Sequence, residues 1–249
     1  MTSQGLLKLV PEEMLKWGLL VMKENLQKAE TDGARQRIEH KIKHTMRVVE
    51  EGNTIMELEK TVKWDKSLGI IICFLHDMGR FPQALKNTYS DELSKMDHAE
   101  VGVNMIKEQG FVHSKMDIIL DAIYWHSRKE NKSNSDYAKL IRDADKSENY
   151  DRFEDMEKWD LSDNKMKGNT IGEMYLNNFL DGYLAVTKDF TTAAEWYLRT
   201  GSWMWDLNFE ATKQMWRDKG YPQMLVGRLE KLGIDKEQFG LIKKRFMSF

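Results

Sequence analysis

Proline is scarce in this chain, and its scarcity limits the folds that the chain can adopt. Only Pro11, Pro82 and Pro222 occur in 249 residues, and proline is the residue that most strongly interrupts a helix. Between the prolines, apolar residues recur at three- and four-residue spacing, which is the period of an amphipathic α-helix. The sequence therefore predicts an all-α fold.

The same apolar pattern predicts the extent of the individual helices. They cover residues 11–29, 34–60, 65–77, 97–109, 114–125, 136–156, 171–186 and 190–219, and a short C-terminal pair follows. We expect the second helix to be interrupted near Gly52 and Asn53. Residues 70–75 are almost continuously apolar, which predicts a buried central helix. Residues 80–96 lack a helical period, so we expect a long loop that crosses the functional site.

The chain is expected to comprise a metal-binding helical core at 1–160 and a C-terminal helical extension at 161–249 in the same globule. A polar connector is predicted at 162–169. The extension concentrates aromatic residues, which we expect to form a helix-packing core rather than a ligand-stacking surface. They are Trp196, Tyr197, Trp203, Trp205, Phe209 and Trp216.

Charge and cysteine content narrow the class of protein. The 38 basic residues are balanced by 40 acidic ones, giving a net charge of -2, so no global field would recruit extended nucleic acid or an anionic membrane. Cys73 is the single cysteine and lies in an apolar run, which excludes a disulfide framework. No window approaches the roughly 18 apolar residues of a membrane helix. These features predict a soluble cytoplasmic protein.

Histidine and aspartate residues form an ordered series that suits metal binding. In the order H…HD…H…H…D they are His44, His76, Asp77, His98, His126 and Asp145. Imidazole nitrogen and carboxylate oxygen suit manganese, iron, nickel, cobalt or zinc better than calcium. Six such ligands exceed the need of one catalytic ion with an open position, so we expect two ions bridged by one carboxylate. Adjacent residues at a helix end point about 100° apart, which lets His76 and Asp77 contact an ion from two sides.

Four motifs carry a resemblance to a known family. They are His44-Thr-Met-Arg-Val, Leu75-His-Asp-Met-Gly-Arg-Phe-Pro-Gln83, Asp97-His-Ala-Glu-x-Gly102 and Ile141-Arg-Asp-Ala-Asp-Lys146. Over residues 35–160 they resemble the HD superfamily, and are most similar to a bacterial subgroup of small HD-domain hydrolases. The tail motif Trp203-Met-Trp-Asp-Leu-Asn-Phe209 also resembles that subgroup. His126-Ser-Arg128 departs from it, because His-Asn-Lys is expected there.

The resemblance implies an HD-domain helical bundle, with the C-terminal extension packed on it, and a metal-dependent hydrolase of phosphate esters. It implies that His44, His76, Asp77 and Asp145 hold the first ion. His98 and His126 would hold the second, with Asp77 as the bridge. The match favours Asp145 over Asp143, which is expected on the helix surface or behind the ligands.

Cations beside the expected ligands are candidates for substrate binding. Arg80, Arg128 and Lys146 stand where a phosphoryl group needs positive charge, and Asp77, Arg80 and Lys146 are the predicted catalytic residues. The substrate is expected to be a nucleotide or another small phosphorylated metabolite, attacked by metal-activated water. The sequence has no P-loop and no Gly-x-Ser-x-Gly element, and Cys73 is expected to be too buried to act as a nucleophile.

The same residues allow other interpretations of the site and its function. His40 and His44 have the spacing of a metalloprotease pair, but Lys41 replaces the glutamate that such a site needs. Asp97 and Glu100 could support the ligands, although helix capping is favoured for Asp97. A mixed-valence di-iron oxygenase of the same superfamily uses the same ligand order. A regulatory module without catalysis is the weakest alternative.

Overall fold

The computed structural model describes residues 2–158, 161, 167–184 and 190–249. Within these residues all regular structure is helical and no strand occurs, as the sequence predicts. None of the described helices combines the length and apolar character that crossing a membrane requires. The chain divides into two compact units, Met1–Glu148 and Asn149–Phe249.

The first unit contains the helices that begin before residue 149. They are α1 (Ser3–Leu6), α2 (Glu12–Lys28), α3 (Asp32–Leu58), α4 (Lys66–Leu75), α5 (Arg80–Ala84), α6 (Asp91–Ser94), α7 (His98–Glu108), α8 (Met116–Trp125) and α9 (Asp136–Asp151), with a 3-10 turn at Leu7–Leu9. Side-chain caps fix the starts of the two central helices: Thr31 accepts a hydrogen bond from the amide of Ala34, and Asp65 accepts one from Leu68.

The core of the first unit is built on α3 and α4, which pack along each other. Residues 68–75 of α4 are all buried, so the predicted central helix is confirmed. The predicted interruption near Gly52 is wrong, because α3 runs unbroken through it. A Cβ atom at Gly52 would lie 2.4 Å from Sγ of Cys73. The missing side chain lets the two helices approach, and their packing outweighs the low helix propensity of glycine.

The predicted loop at 80–96 is wrong in part, because it contains α5 and α6. Pro82 lies in the first turn of α5, where a missing N–H leaves no helical hydrogen bond unmade. Ser90 caps α6 by accepting a hydrogen bond from the amide of Leu93. Between these helices the segment is attached to α3, because Tyr89 donates its hydroxyl hydrogen to the carbonyl of Arg37.

The second unit, described by itself, contains six helices within the described residues. They are α10 (Phe153–Glu157), α11 (Glu173–Leu180), α12 (Ala193–Gly201), α13 (Glu210–Asp218), α14 (Tyr221–Leu232) and α15 (Lys236–Met247). The predicted C-terminal pair is confirmed by α14 and α15. Residues 162–166 of the predicted connector and 185–186 of the predicted helix at 171–186 lie outside the described residues.

Two of the long predicted helices are wrong in part, because the structure divides each of them into shorter segments. The helix predicted at 136–156 ends at Asp151, because Arg152 leaves the helical conformation with φ -118° and ψ 35°. The helix predicted at 190–219 divides into α12, a 3-10 segment at Ser202–Asp206 and α13. Leu207 and Phe209 have extended backbones yet are buried, so the apolar pattern continues where the helix does not.

Aromatic side chains form the core of the second unit, as predicted. Trp196 and Trp216 are fully buried, and Tyr197 and Phe209 are nearly so. Trp203 and Trp205, which were also predicted to belong to this core, are half-buried. The ring of Tyr150 lies 4.1 Å from that of Trp216, centroid to centroid. The division of the chain at residue 160, and the packing of the extension on the core, stay predictions.

Candidate metal centre

The six predicted ligands lie at helix ends or within two helices, all in the first unit. His44 lies within α3, His76 and Asp77 follow α4, His98 begins α7, His126 follows α8 and Asp145 lies in α9. The four histidines are at most 3% exposed. Residues far apart in sequence therefore bring imidazoles and carboxylates into one buried pocket.

Two glycines bring the His76-Asp77 turn against the start of α7. A Cβ atom on Gly79 would lie 2.1 Å from the carbonyl oxygen of His98 and 2.7 Å from the amide nitrogen of Gly102. Gly79 has an ordinary φ of -71°, so glycine is needed there for space and not for conformation. This contact explains why the motif at residues 75–83 contains Gly79 and the motif at residues 97–102 contains Gly102.

The six side chains form two groups, and Asp77 faces both. His44, His76 and Asp145 form one group, and Asp77, His98 and His126 form the other; within each, the ligand atoms all lie within 4.8 Å of one another. Oδ2 of Asp77 is 3.6 Å from Nε2 of His44 and 3.4 Å from Nε2 of His76. Oδ1 is 3.7 Å from Nε2 of His98 and 3.5 Å from Nε2 of His126. Each carboxylate oxygen thus faces one pair of imidazoles.

Hydrogen bonds at Nδ1 fix how the imidazoles face the pocket. Nδ1 of His76 lies 2.8 Å from the carbonyl of Cys73, and Nδ1 of His126 lies 2.6 Å from the carbonyl of Ile123. A carbonyl only accepts, so both Nδ1 atoms carry hydrogen, and in an imidazole with one N–H group the lone pair is then on Nε2. Nδ1 of His98 lies 2.9 Å from the carboxylate of Asp91. These anchors hold metal-ligating tautomers in place.

Two of the four Nε2 atoms lack the partners that buried polar atoms need. Those of His44 and His76 make no hydrogen bond with any described residue, although Nε2 of His44 lies 3.1 Å from Oδ1 of Asp145. Nε2 of His98 and Nε2 of His126 face each other at 3.2 Å. Buried lone pairs without a donor are unfavourable. Nitrogen and carboxylate donors in this arrangement fit a divalent transition-metal ion.

The electrostatics of the pocket favour ionised carboxylates. Burial opposes ionisation of Asp77, but Lys41 and the neighbouring histidines hold its pKa well below its usual range. Burial likewise opposes ionisation of Asp145, and the nearby His44 lowers its pKa. Both side chains can therefore offer charged oxygen atoms at neutral pH.

The histidines differ in how the pocket shifts their pKa. Burial is the main cause that lowers the pKa of His76, and burial followed by the charge of Arg80 lowers the pKa of His98 to about 4. Burial and Lys41 also act against protonation of His44, yet the carboxylates of Asp145 and Glu148 together raise its pKa. His76 and His98 are therefore neutral and can offer a nitrogen lone pair to a metal ion, whereas His44 is held between two carboxylates.

Three residues that sequence reasoning missed contact the predicted ligands. Nζ of Lys41 donates to Oδ2 of Asp77 at 2.7 Å, Glu148 accepts from His44, and Asp91 contacts His98. Lys41 precedes His44 by three residues and Glu148 follows Asp145 by three, so helical spacing places each on its ligand's face. That three-residue spacing was the sequence feature that could have identified Lys41 and Glu148. Asp91 gave no signal, because its short helix was predicted as loop.

A buried arginine fixes the turn that carries His126. NH1 of Arg142 donates to the carbonyls of Trp125, His126 and Arg128 at 2.8, 3.1 and 2.7 Å. These are carbonyls at the end of α8, which have no partner within the helix. Arg142 therefore explains the arginine in the Ile141-Arg-Asp-Ala-Asp-Lys146 motif.

The predicted substrate-binding cations occupy different surroundings. NH1 of Arg80 donates to Gln83, to the carbonyl of Tyr89 and to Asp91, while its Nε lies 3.8 Å from Oδ1 of Asp77. Arg80 is therefore beside the metal pocket but engaged by neighbouring residues.

Arg128 and Lys146 contact residues other than the six predicted ligands. NH2 of Arg128 pairs with Asp97 at 2.8 Å, and its guanidinium lies 3.9 Å from the ring centroid of Tyr124. Nζ of Lys146 donates to the carbonyl of Arg142 at 3.4 Å. Substrate contact by Arg80, Arg128 and Lys146 stays a prediction.

The other candidate residues of the sequence lie outside the two ligand groups. Asp97 caps α7, as favoured, by accepting hydrogen bonds from the amides of Ala99 and Glu100. Asp143 is fully buried, which excludes a helix-surface position, and it belongs to neither ligand group. His40 also lies outside both groups; its ring stacks 6.4 Å from that of His44. A third trio, Asp91, Asp97 and His98, shares His98 with the second group.

Comparison with known proteins agrees with this geometry. The family model of the HD domain matches residues 42–150 of the chain, a range that includes all six predicted ligands. No curated protein and no solved structure matches the chain.

Proposed function

Residues 42–150 belong to the HD-domain superfamily, whose members are generally metal-dependent hydrolases, and on this premise we propose that the chain is a metal-dependent phosphohydrolase. It acts on a phosphomonoester or phosphodiester bond of a nucleotide or another small phosphorylated metabolite. The observation that carries the proposal is the position of Asp77, whose two oxygens face two pairs of buried imidazole nitrogens.

The two ligand groups are proposed to serve two ions. His44, His76, Asp77 and Asp145 would hold the first ion, and His98, His126 and the other oxygen of Asp77 would hold the second. When bound, divalent ions of this kind act as Lewis acids toward phosphoryl oxygens and lower the pKa of a water molecule towards neutrality.

The protein's own residues prepare the pocket for this chemistry. Glu148, Asp91 and two backbone carbonyls hold the imidazole rings through Nδ1, so no ring has to reorient when a ligand binds. Lys41 and Arg80 add positive charge on either side of Asp77. Fixed charges in a buried pocket stabilise negative charge more strongly than they would in water.

A water nucleophile suits the proposal because the one cysteine cannot serve. Cys73 is fully buried, and burial raises the pKa of its thiol to about 12. A buried, protonated thiol is a poor nucleophile. The absence of a P-loop and of a nucleophile elbow in the sequence points the same way.

The size of the substrate is inferred from charge. The chain has a net charge of -2, so no overall positive charge attracts extended nucleic acid to it. Arg80, Arg128 and Lys146 are proposed to contact one or two phosphate groups. A small phosphorylated metabolite therefore suits the chain better than a polymer.

The proposal is tested by removing metal with a chelator and reloading the protein with Mn²⁺, Fe²⁺, Co²⁺, Ni²⁺ or Zn²⁺. Phosphate release is then measured with nucleoside mono-, di- and triphosphates, cyclic nucleotides and sugar phosphates. We expect metal-dependent hydrolysis that His76→Ala and Asp77→Ala abolish. His113→Ala, outside both ligand groups, is the matched control. Activity that survives Asp77→Ala contradicts the proposal, and O₂ consumption without phosphate release would indicate the di-iron oxygenase instead.

A further inference from the structure

Lys41 is a buried cation beside the metal pocket with hydrogen-bonding capacity to spare. The residue is 9% exposed and lies on α3, three residues before His44. Its ammonium donates one hydrogen bond, to Oδ2 of Asp77 at 2.7 Å. Among the described residues, the aromatic ring that lies near the ammonium is that of Tyr89, whose centroid is 5.4 Å from Nζ. Two of the three N–H bonds of the ammonium thus have no acceptor in the described part of the chain.

Burial of an ammonium group is unfavourable unless anionic partners compensate for the lost water. Asp77 is the one carboxylate that pairs with Lys41 among the described residues, and the same carboxylate faces both groups of imidazoles. Cations bound by those groups would share the charge of Asp77. Lys41 then needs a further anionic partner, which a substrate can provide.

Tyr89 limits where the ammonium can go. Its ring centroid lies 5.4 Å from Nζ of Lys41 and 5.5 Å from Cζ of Arg37. The Tyr89 hydroxyl bonds to the backbone of α3, so the ring is held in place. A cation against a fixed aromatic face is stabilised by the ring's quadrupole. Lys41 is thereby retained at the pocket.

Arg80, the other cation near Asp77, has less freedom. Its NH1 already donates to Gln83, the carbonyl of Tyr89 and Asp91. A new anion would have to compete with these partners at NH1, whereas the ammonium of Lys41 has two N–H bonds without an acceptor among the described residues. Lys41 also lies closer to Asp77, with Nζ 2.7 Å from Oδ2 compared with 3.8 Å from Nε of Arg80 to Oδ1. Lys41 is therefore the better placed of the two cations to receive substrate.

We propose that Lys41 is a substrate-binding residue that donates hydrogen bonds to a terminal oxygen of a phosphomonoester. This inference rests on the proposed function. A phosphomonoester has three terminal oxygens, so one remains for Lys41 when the other two face the two ligand groups. A phosphodiester has only two non-bridging oxygens and leaves none. The proposal therefore assigns monoesters as the preferred substrate class.

The test compares Lys41→Met, Lys41→Arg and the wild-type protein after loading with Mn²⁺. Lys43→Met is the matched control, because Lys43 is exposed on the same helix. Metal content is measured by mass spectrometry, and the affinity for inorganic phosphate by calorimetry. The kcat/KM values for p-nitrophenyl phosphate and bis(p-nitrophenyl) phosphate are measured separately.

We expect Lys41→Met to keep its metal and to bind phosphate about 10- to 100-fold more weakly, as for loss of hydrogen bonds between charged groups. Its kcat/KM should fall by a similar factor for the monoester and by less than about threefold for the diester. Lys41→Arg should recover part of the phosphate affinity, and Lys43→Met should match wild type.

Three results would overturn the assignment of Lys41. They are unchanged phosphate affinity in Lys41→Met, loss of metal in that variant, and an equal fall in activity on both esters. Failure of the proposed function is a different result. If metal-loaded wild type binds phosphate through Lys41 but hydrolyses neither ester, the binding role of Lys41 is supported and the hydrolase function is contradicted. If metal-loaded wild type binds no phosphate, the binding role of Lys41 is itself contradicted.

Discussion

Glu148 accepts a hydrogen bond from Nδ1 of His44 at a distance of 2.5 Å, and both side chains are buried. Its other carboxylate oxygen lies 3.3 Å from NH1 of Arg47. The carboxylate therefore orients the imidazole of His44 so that Nε2 faces Asp77 and Asp145. Carboxylates placed behind a histidine ligand in this way orient the ring and increase its basicity.

We predict that Glu148→Gln weakens metal binding by about 10- to 100-fold, because the amide no longer carries the charge that supports His44. The affinity is measured by titrating Mn²⁺ into metal-free protein in competition with a chromogenic chelator. Glu39→Gln, at an exposed glutamate on α3, the helix that carries His44, should bind Mn²⁺ like wild type. An unchanged Mn²⁺ affinity in Glu148→Gln would show that this hydrogen bond does not support the site.

Asp91 is expected to act on the second ligand group alone. Its carboxylate contacts Nδ1 of His98 at 2.9 Å and NH1 of Arg80 at 3.0 Å, and despite burial these partners lower its pKa to about 2. We predict that Asp91→Asn binds fewer than two Mn²⁺ ions per chain at concentrations that saturate wild type. Asp117→Asn, an exposed aspartate, is the control. Full occupancy in Asp91→Asn would contradict the prediction.

Gly79 is predicted to tolerate no side chain. A methyl group there would collide with backbone atoms of His98 and Gly102, which cannot move aside as a flexible side chain can. Gly79→Ala should lower the free energy of unfolding by about 1–3 kcal/mol or more, measured by urea denaturation. Gly240→Ala, in open space on α15, should leave stability unchanged or raise it slightly. Equal stability of the two variants would exclude the predicted steric conflict.

Cys73 should be unreactive in the folded protein. Burial raises its thiol pKa from 9.0 to about 12, which reduces the thiolate fraction at pH 8 by about a thousandfold. We predict slow reaction with a thiol reagent under native conditions and fast reaction in guanidinium chloride. Since the unfolded chain ionises first, the stabilising effect of the protonated thiol is present below pH 9 and is lost between pH 9 and about 12. Fast native-state labelling would contradict burial.

The sequence predicts the helical fold and the six converging side chains well, for identifiable reasons. Ligands such as His76 and His126 occur in motifs or at helix ends, and a strong apolar period locates α4. The period fails where burial continues without a helix, as at Leu207 and Phe209. It also misses α6, whose four residues depend on a cap from Ser90.

The supporting residues were harder to predict, because their roles depend on contacts between distant segments. Glu148 and His44 are 104 positions apart, and Lys41 and Asp77 are 36 apart. A charged residue one helical turn from a ligand is a common pattern on solvated helices. Only the three-dimensional structure shows that these two side chains are buried against the ligands.

The most direct test of the two-group arrangement around Asp77 is to titrate Mn²⁺ into metal-free protein while measuring the rate of phosphate release from p-nitrophenyl phosphate. If both groups of ligands act together in phosphoester hydrolysis, the rate should approach its maximum only as the second equivalent of Mn²⁺ is bound. A rate that saturates at one equivalent would contradict the paired site. No metal-dependent phosphate release from any phosphate ester would contradict the hydrolase function itself.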